Sequence, residues 1–255
     1  MITRAQITKR ADQDGVDART VERDYVLAHV VALIARKDRA SSLAFKGGTC
    51  LRLVHMEDCR YSADADYSIL SGSADDAMAL VRSALRDNRS ESIAELVLTE
   101  DDPPRIAYRG PLGRQRTVKL DIAADEVVER TESRSLFARW PDLPSVDVLV
   151  YTPVEIAGEK LRCVLQRLQC RDILDLSLLF EKMGVDPVDA SRLFRHKAKH
   201  KGFDPSSFAS KFEERAPQYR KRWDEELGRY LVGEVPHYED VERRLRRALR
   251  RAGLL

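Results

Sequence analysis

Phe45-Lys46-Gly47-Gly48-Thr49, followed after a helix-sized gap by Arg60-Tyr61-Ser62-Ala63-Asp64-Ala65-Asp66, decides how this chain is read. Leu43 to Lys46 is a short strand stopped by the two glycines, Thr49 to His55 starts a helix, and Asp64 to Leu70 reads as a second strand. Side chains two apart on a strand share a face, so Asp64 and Asp66 project together with Cα atoms about 7 Å apart. Carboxylates that close repel unless a cation lies between them. Their oxygens can grip metals about 3.5–4 Å apart, the spacing of two-metal phosphoryl transfer. Gly47-Gly48 lets backbone amides approach a phosphate before a helix N-terminus. A D-x-D pair alone is a weak signal; the Gly-Gly-Thr upstream is what raises this one above a solvated surface pair.

A third carboxylate comes from Thr117-Val118-Lys119-Leu120-Asp121-Ile122. The alternation sends Val118, Leu120 and Ile122 to one face and Thr117, Lys119 and Asp121 to the other. With the apolar side packed on helices, Asp121 lies on the open face beside the first pair; the alternative is an exposed Asp on an edge strand.

Around this centre, residues 18–37 have helical periodicity, with Val26, Val30, Leu33 and Ile34 near one face. Ser73 opens a helix with Asp76 at capping-box spacing. Residues 92–99, 105–109 and 116–123 read as strands, the last two joined by the turn Gly110-Pro-Leu-Gly113. The remainder reads as mainly helical. Thr152-Pro153-Val154-Glu155 is a helix start, predicted to run to about Gln169. Further helices are predicted from Arg171 or Asp172 to Met183 and near 187–200, 207–229 and 239–251. The expected fold class is α+β: a mixed-sheet lobe over 1–150 with an N-terminal helix, then a helical lobe over 151–255.

The chain has 255 residues, 34% charged and 43% hydrophobic, as in an ordinary globular protein. It has no apolar run long enough for a membrane span, and MITRAQITKRADQDG lacks a signal-peptide core, so a cytoplasmic protein without membrane contact is expected. Cys50, Cys59, Cys163 and Cys170 show no C-x-x-C spacing, predicting free thiols. The net charge of +2 hides an asymmetry: residues 191–255 carry 17 Lys+Arg against 10 Asp+Glu, and the first 190 carry 27 against 32. An acidic first part and a basic tail suit a metal site joined to a polyanion-binding surface; solvated helix faces are the plainer alternative.

These residues resemble the AbiEii/AbiGii (MenT-like) toxin family of nucleotidyltransferases over most of residues 20–180. Val21-Glu22-Arg23-Asp24-Tyr25-Val26-Leu27 is similar to the family's opening helix and Phe45-Lys46-Gly47-Gly48-Thr49 to its glycine turn. Arg60-Tyr61-Ser62-Ala63-Asp64-Ala65-Asp66 is similar to its R-[FY]-S-x-D-x-D signature, with Ala65 where the family usually has Ile or Leu. The resemblance implies a polymerase-β-like nucleotidyltransferase lobe, Mg²⁺ (or Mn²⁺), an NTP co-substrate and the tRNA acceptor stem as target. It further implies a toxin of a type IV-like toxin–antitoxin system that blocks translation and is opposed by an AbiEi-like antitoxin. On this reading Asp64, Asp66 and Asp121 hold metal, and Asp121 helps activate the acceptor hydroxyl.

The resemblance continues through Glu155-Ile156-Ala157-Gly158-Glu159-Lys160-Leu161 and Arg171-Asp172-Ile173-Leu174-Asp175-Leu176. At roughly 100° per residue, Lys160, Arg167 and Arg171 fall within about 20° of one line if the helix is continuous. Such a row offsets triphosphate charge that metals leave uncompensated; a solvated basic stripe is the alternative. Lys160 and the Gly47-Gly48 backbone are expected to hold the triphosphate, helped by Arg167 or Arg171. Asp172 orients Lys160 or a substrate hydroxyl, while Asp175 pairs with Arg171. Lys46 and Thr49 beside the glycine turn, and Ser62 two residues before Asp64, are candidate phosphate contacts; Lys46 could equally cover the strand end and Ser62 cap a turn.

His196 and His200 stand one helical turn apart without a third metal ligand, which favours a basic face over a zinc site. With Lys201, Lys211, Arg215, Arg220, Lys221 and Arg222 they could track a phosphate backbone. Tyr219 is then available for stacking, and Trp223 is expected in the core. Residues 241–249 form an amphipathic helix. The expected molecule is a monomeric, metal-dependent nucleotidyltransferase. Its rivals are the same chemistry on a small molecule or protein side chain, and a non-catalytic RNA- or partner-binding module.

Overall fold

A computed structural model describes residues 2–255. The chain divides into two compact units. The first comprises the residues up to Asp125, Glu132–Val150 and Tyr230–Gly233; the second comprises Glu126–Thr131, Tyr151–Arg229 and Glu234–Leu255. The fold is α+β, as expected, built on a seven-stranded mixed sheet.

The strands are β1 (Leu43–Lys46), β2 (Asp64–Ile69), β3 (Ala94–Leu98), β4 (Arg105–Arg109), β5 (Gln115–Ala123), β6 (Thr131–Ser135) and β7 (Asp147–Tyr151), in spatial order β3-β4-β5-β2-β1-β7-β6. β2 runs antiparallel to β1 and parallel to β5, while β7 runs parallel to β1. The helices of this unit are α1 (Arg4–Asp14), α2 (Ala18–Lys37), the single turn α3 (Gly47–Cys50), which widens into a π-helical turn over Leu51–His55, and α4 (Ala74–Arg86). α4 has the predicted reciprocal cap between Ser73 and Asp76.

Strand alternation gives the sheet one apolar and one polar face. Phe45, Tyr67, Val118, Leu120, Ile106 and Tyr108 are all buried on the first, with α2 packed along β2 and α4 along β3. Lys46, Asp64, Asp66, Thr117, Lys119 and Asp121 belong to the second. Burying Val118 and Leu120 contributes about 1.5–3 kcal/mol each. A one-residue slip of β5 would forfeit that and drive Asp121 into the core. Hydrophobic patterning therefore decides which way Asp121 points.

A buried polar network fixes the chain entering β2. Arg52 bonds Asp24 of α2 at 2.5 Å, donates to the Cys59 carbonyl, and lies 3.5 Å from the centre of the Tyr61 ring. The Tyr61 hydroxyl reaches Asp14 at 2.5 Å, and its amide donates to the Tyr230 carbonyl at 2.7 Å. Glu22 is likewise buried, accepting from the Leu112 amide at 2.6 Å and from Arg116.

The second unit holds α5 (Pro153–Gln166), α6 (Cys170–Glu181), α7 (Pro187–His200), a 3₁₀ turn at Pro205–Ser207, α8 (Phe208–Leu227) and α9 (Tyr238–Arg251). Its interior includes the ion pair of Lys197 with Glu155 at 2.7 Å, which also serves the amides of Glu129 and Arg130. Trp223 is in the core, its indole donating to the Pro236 carbonyl at 2.7 Å. Tyr219 is fully buried too, which corrects the expectation that it could stack on a base. α9 buries Val241, Leu245 and Leu249 and turns Arg243, Arg244, Arg247 and Arg250 outward.

Other elements depart from expectation. β6 and β7 fall in a stretch read as mainly helical, and α1 lies in the unassigned N-terminal segment. α5 ends at Gln166 rather than Gln169, because Arg167 is extended (φ −143°, ψ 160°). Lys160, Arg167 and Arg171 therefore do not form one helical row. The break has a tertiary cause: Arg215 of α8 donates to the carbonyls of Val164 and Arg167, filling acceptors that a longer helix would use internally. Among the described residues, no helix is long and apolar enough to cross a membrane.

Candidate functional site

Strand register brings the three acidic residues of the first unit together. Asp66 is the direct partner of Asp121 across β2 and β5, and Asp64 stands two residues before Asp66 on the same face. Neighbouring strands are about 4.8 Å apart, and residues i and i+2 about 7 Å. The three Cα atoms thus mark a right-angled corner. Lys46 lies opposite Asp66 on the β1 side, so one row reads Lys46, Asp66, Asp121. Asp64, Asp66 and Asp121 are all partly exposed, whereas Lys46 is buried.

The glycine turn closes on this corner. Gly47 has φ +78°, and a Cβ there would overlap the Asp66 carboxylate. Only glycine permits both the left-handed backbone and that approach. A Cβ on Gly48 would meet the Arg60 guanidinium and, at 3.2 Å, Ser62 Oγ. Arg60 is 2% exposed and also donates to the Tyr61 carbonyl at 3.0 Å. It is a cation built against the glycine turn, overlooked as a site residue although the motif contains it. Ser62 is buried and precedes the strand, which begins at Asp64. The Thr49 hydroxyl donates to the Asp64 carbonyl, so Thr49 fastens α3 to β2 instead of turning its hydroxyl to a ligand.

Lys119 donates to Asp121 Oδ2 at 2.9 Å. Its ammonium is held above its usual pKa first by that bond and, against the cost of burial, also by the fields of Asp121, Asp64 and Asp66. Among the described residues, no three His, Cys, Asp or Glu side chains stand as a ready metal cage. The donor set nevertheless fits a hard divalent ion. It consists of carboxylate oxygens alone, on adjacent strands of the polar face, the ligand chemistry that hard divalent ions take.

The second unit carries a separate cluster. Lys160 lies 2.7 Å from Asp172 and 2.8 Å from Asp175, both buried. Arg167 reaches Asp172 through two guanidinium nitrogens, at 2.9 and 3.1 Å. Burial pushes the Asp172 carboxyl up, but Lys160 and Arg167 prevail and hold it well below the usual carboxylate range. Asp175 pairs with Lys160, and Arg171 donates to the Gln169 side chain at 2.9 Å.

Comparison with known proteins follows from this geometry. The family model described as "Nucleotidyl transferase AbiEii toxin, Type IV TA system" matches residues 30–251. No curated protein sequence matches. Among solved structures, MenT4, a nucleotidyltransferase toxin from Mycobacterium tuberculosis H37Rv, is similar with a TM-score of 0.73 and 18% identity, over 100% of this chain and 89% of that one. An antigenic nucleotidyltransferase-like protein from Paracoccidioides brasiliensis matches at a TM-score of 0.40 and 15% identity, over 73% of this chain and 92% of that one.

Proposed function

This chain belongs to the AbiEii family of type IV toxin–antitoxin nucleotidyltransferases, and from that premise we propose that it transfers a nucleoside monophosphate from an NTP to the 3′ end of tRNA. The observation that carries the reading is the register pairing of Asp66 with Asp121, with Asp64 on the same polar face. In this proposal Asp64, Asp66 and Asp121 hold Mg²⁺ or Mn²⁺, which when bound polarises phosphoryl oxygens and offsets their charge. The terminal ribose hydroxyl of the acceptor attacks the α-phosphorus. A new P–O bond forms, the bond to the β,γ-phosphates breaks, and pyrophosphate leaves. Asp121 accepts a hydrogen bond from the attacking hydroxyl and helps draw off its proton.

Lys46, the Gly47-Gly48 backbone, Ser62 and the buried Arg60 are assigned to the triphosphate, on the β1 side of Asp66. Thr49 positions Asp64. In the second unit Lys160 and Asp172 act as a locked pair that orients Arg167; Arg167, with its side chain 44% exposed, and Arg171 are assigned to substrate phosphate. A cognate antitoxin opposes the activity.

Incubating the chain with total tRNA, Mg²⁺ and each labelled NTP in turn is expected to label RNA with a preference among the four, and a chelator is expected to abolish it. Labelling that survives exhaustive chelation would remove the metal from the proposal, and labelling of protein or a small molecule in place of RNA would replace the acceptor. A Gly47→Ala chain tests the turn. The left-handed backbone costs about 1–2 kcal/mol, readable in thermal unfolding. Displacement of Asp66 lowers transfer on the order of 100-fold; parental activity in that chain would show that the close approach of Gly47 to Asp66 is irrelevant to catalysis.

A further inference from the structure

Beyond the acidic corner, the polar face of the sheet continues outward over β5 and β4, and there its side chains are cationic. Lys119 stands opposite Asp64, and Arg105 stands opposite Lys119, so one row across three strands reads Asp64, Lys119, Arg105. Like charges facing each other on strands about 4.8 Å apart destabilise a sheet unless something counters them. Lys119 is countered by Asp121. Arg105 is exposed, bonds Thr117 Oγ1 at 3.2 Å, and has no ion pair among the described residues. Further along the same strand Arg109 is neutralised by Glu95 at 3.1 Å, so the uncompensated charge is particular to the position nearest the carboxylates. The face here is open: Thr117 is exposed and Val97, opposite Ala107, is 57% exposed.

We propose that Arg105 and Lys119, flanked by Thr117, form the track on which the phosphodiester backbone of the RNA 3′ end lies as its terminal hydroxyl meets Asp121. The inference rests on the function proposed above and adds the acceptor's path to it. Direction follows from the row through Asp66, which has Lys46 and the glycine turn on one side and Asp121 on the other. The nucleotide occupies the glycine side, and the attacking strand comes over β5 and β4. Two cations one strand apart suit consecutive phosphates of an extended chain. Arginine's fork pairs with phosphate oxygens two at a time. Such contacts set position without reading bases, so the track accepts any sequence near the 3′ end.

The test uses the full chain, labelled NTP and purified tRNA, comparing the parent with Arg105→Ala and Arg105→Lys. In Arg105→Ala the KM for tRNA is expected to rise roughly tenfold, the effect of one hydrogen bond to a charged group. The kcat at saturating tRNA and the KM for NTP should stay at parental values. The salt dependence of tRNA binding should flatten by about 0.7–1 in log–log slope, and lysine should restore most of it. An unchanged KM and slope in an active, normally melting Arg105→Ala chain overturns the track alone. A rise confined to the KM for NTP also overturns it, moving Arg105 to the nucleotide. If the parent binds NTP with Mg²⁺ yet labels no RNA, the proposed acceptor falls and the track falls with it.

Discussion

Asp66→Ala is expected to lose nucleotidyl transfer by about 1000-fold or more while folding as well as the parent. A bound metal supplies several kcal/mol of transition-state stabilisation, and each 1.36 kcal/mol is a factor of ten. Asp66 is the middle of the acidic corner, two residues from Asp64 and opposite Asp121, so no other side chain can replace its oxygens. A melting temperature near the parent's would show that the loss is chemical and not a failure to fold. Labelling of tRNA at the parental rate by the variant would mean that the chemistry happens elsewhere.

The largest stability effect is expected from Asp172→Asn. The asparagine keeps the shape but leaves Lys160, itself 8% exposed in its side chain, and Arg167 without their shared anion. Breaking a buried pair costs about 3–5 kcal/mol, and because Lys160 retains Asp175 the lower end, about 3 kcal/mol, applies. The pH dependence has a definite sign. The carboxyl of Asp172 is depressed in the folded chain, so its contribution is fully present above the unfolded value of about 3.9. It fades as pH falls below that value towards the folded pKa. Urea unfolding of parent and variant should therefore differ most near neutrality and converge below about pH 4. A gap that stays constant down to pH 3 would show that Asp172 contributes through packing and not charge.

What could be read in advance followed the range of the interactions involved. The short strand before Gly47, the Ser73 cap, the strands read at 105–109 and 116–123, and the helix start at Thr152 rest on local rules, and all appear in the fold. Even the face of Asp121 was legible, because Val118 and Leu120 alternate with it. The strand Asp147–Tyr151 was missed since its apolar run ends directly in a helix-start signal, and only its neighbour β1, about a hundred residues earlier, identifies it as interior sheet. The end of α5 was missed because Arg215, dozens of residues downstream, supplies the donors that stop it. Arg60 is legible in the sequence as the one cation of a motif that also holds Asp64 and Asp66. Arg105 offers no such signal, since its position next to Lys119, two strands from Asp64, exists only through pairing across three strands.

The outer rim of the sheet has its own lesson. Between Ala94 and Val97, β3 carries one residue more than its partner β4, and Glu95 there adopts φ +56°. Such a kink coils the border strand away from the plane its neighbours share, and the Glu95–Arg109 bridge sets a charged pair upon it. A second copy approaching that border would find no straight ladder to extend. Crowding the protein should thus yield no ribbon-like stacks through this side.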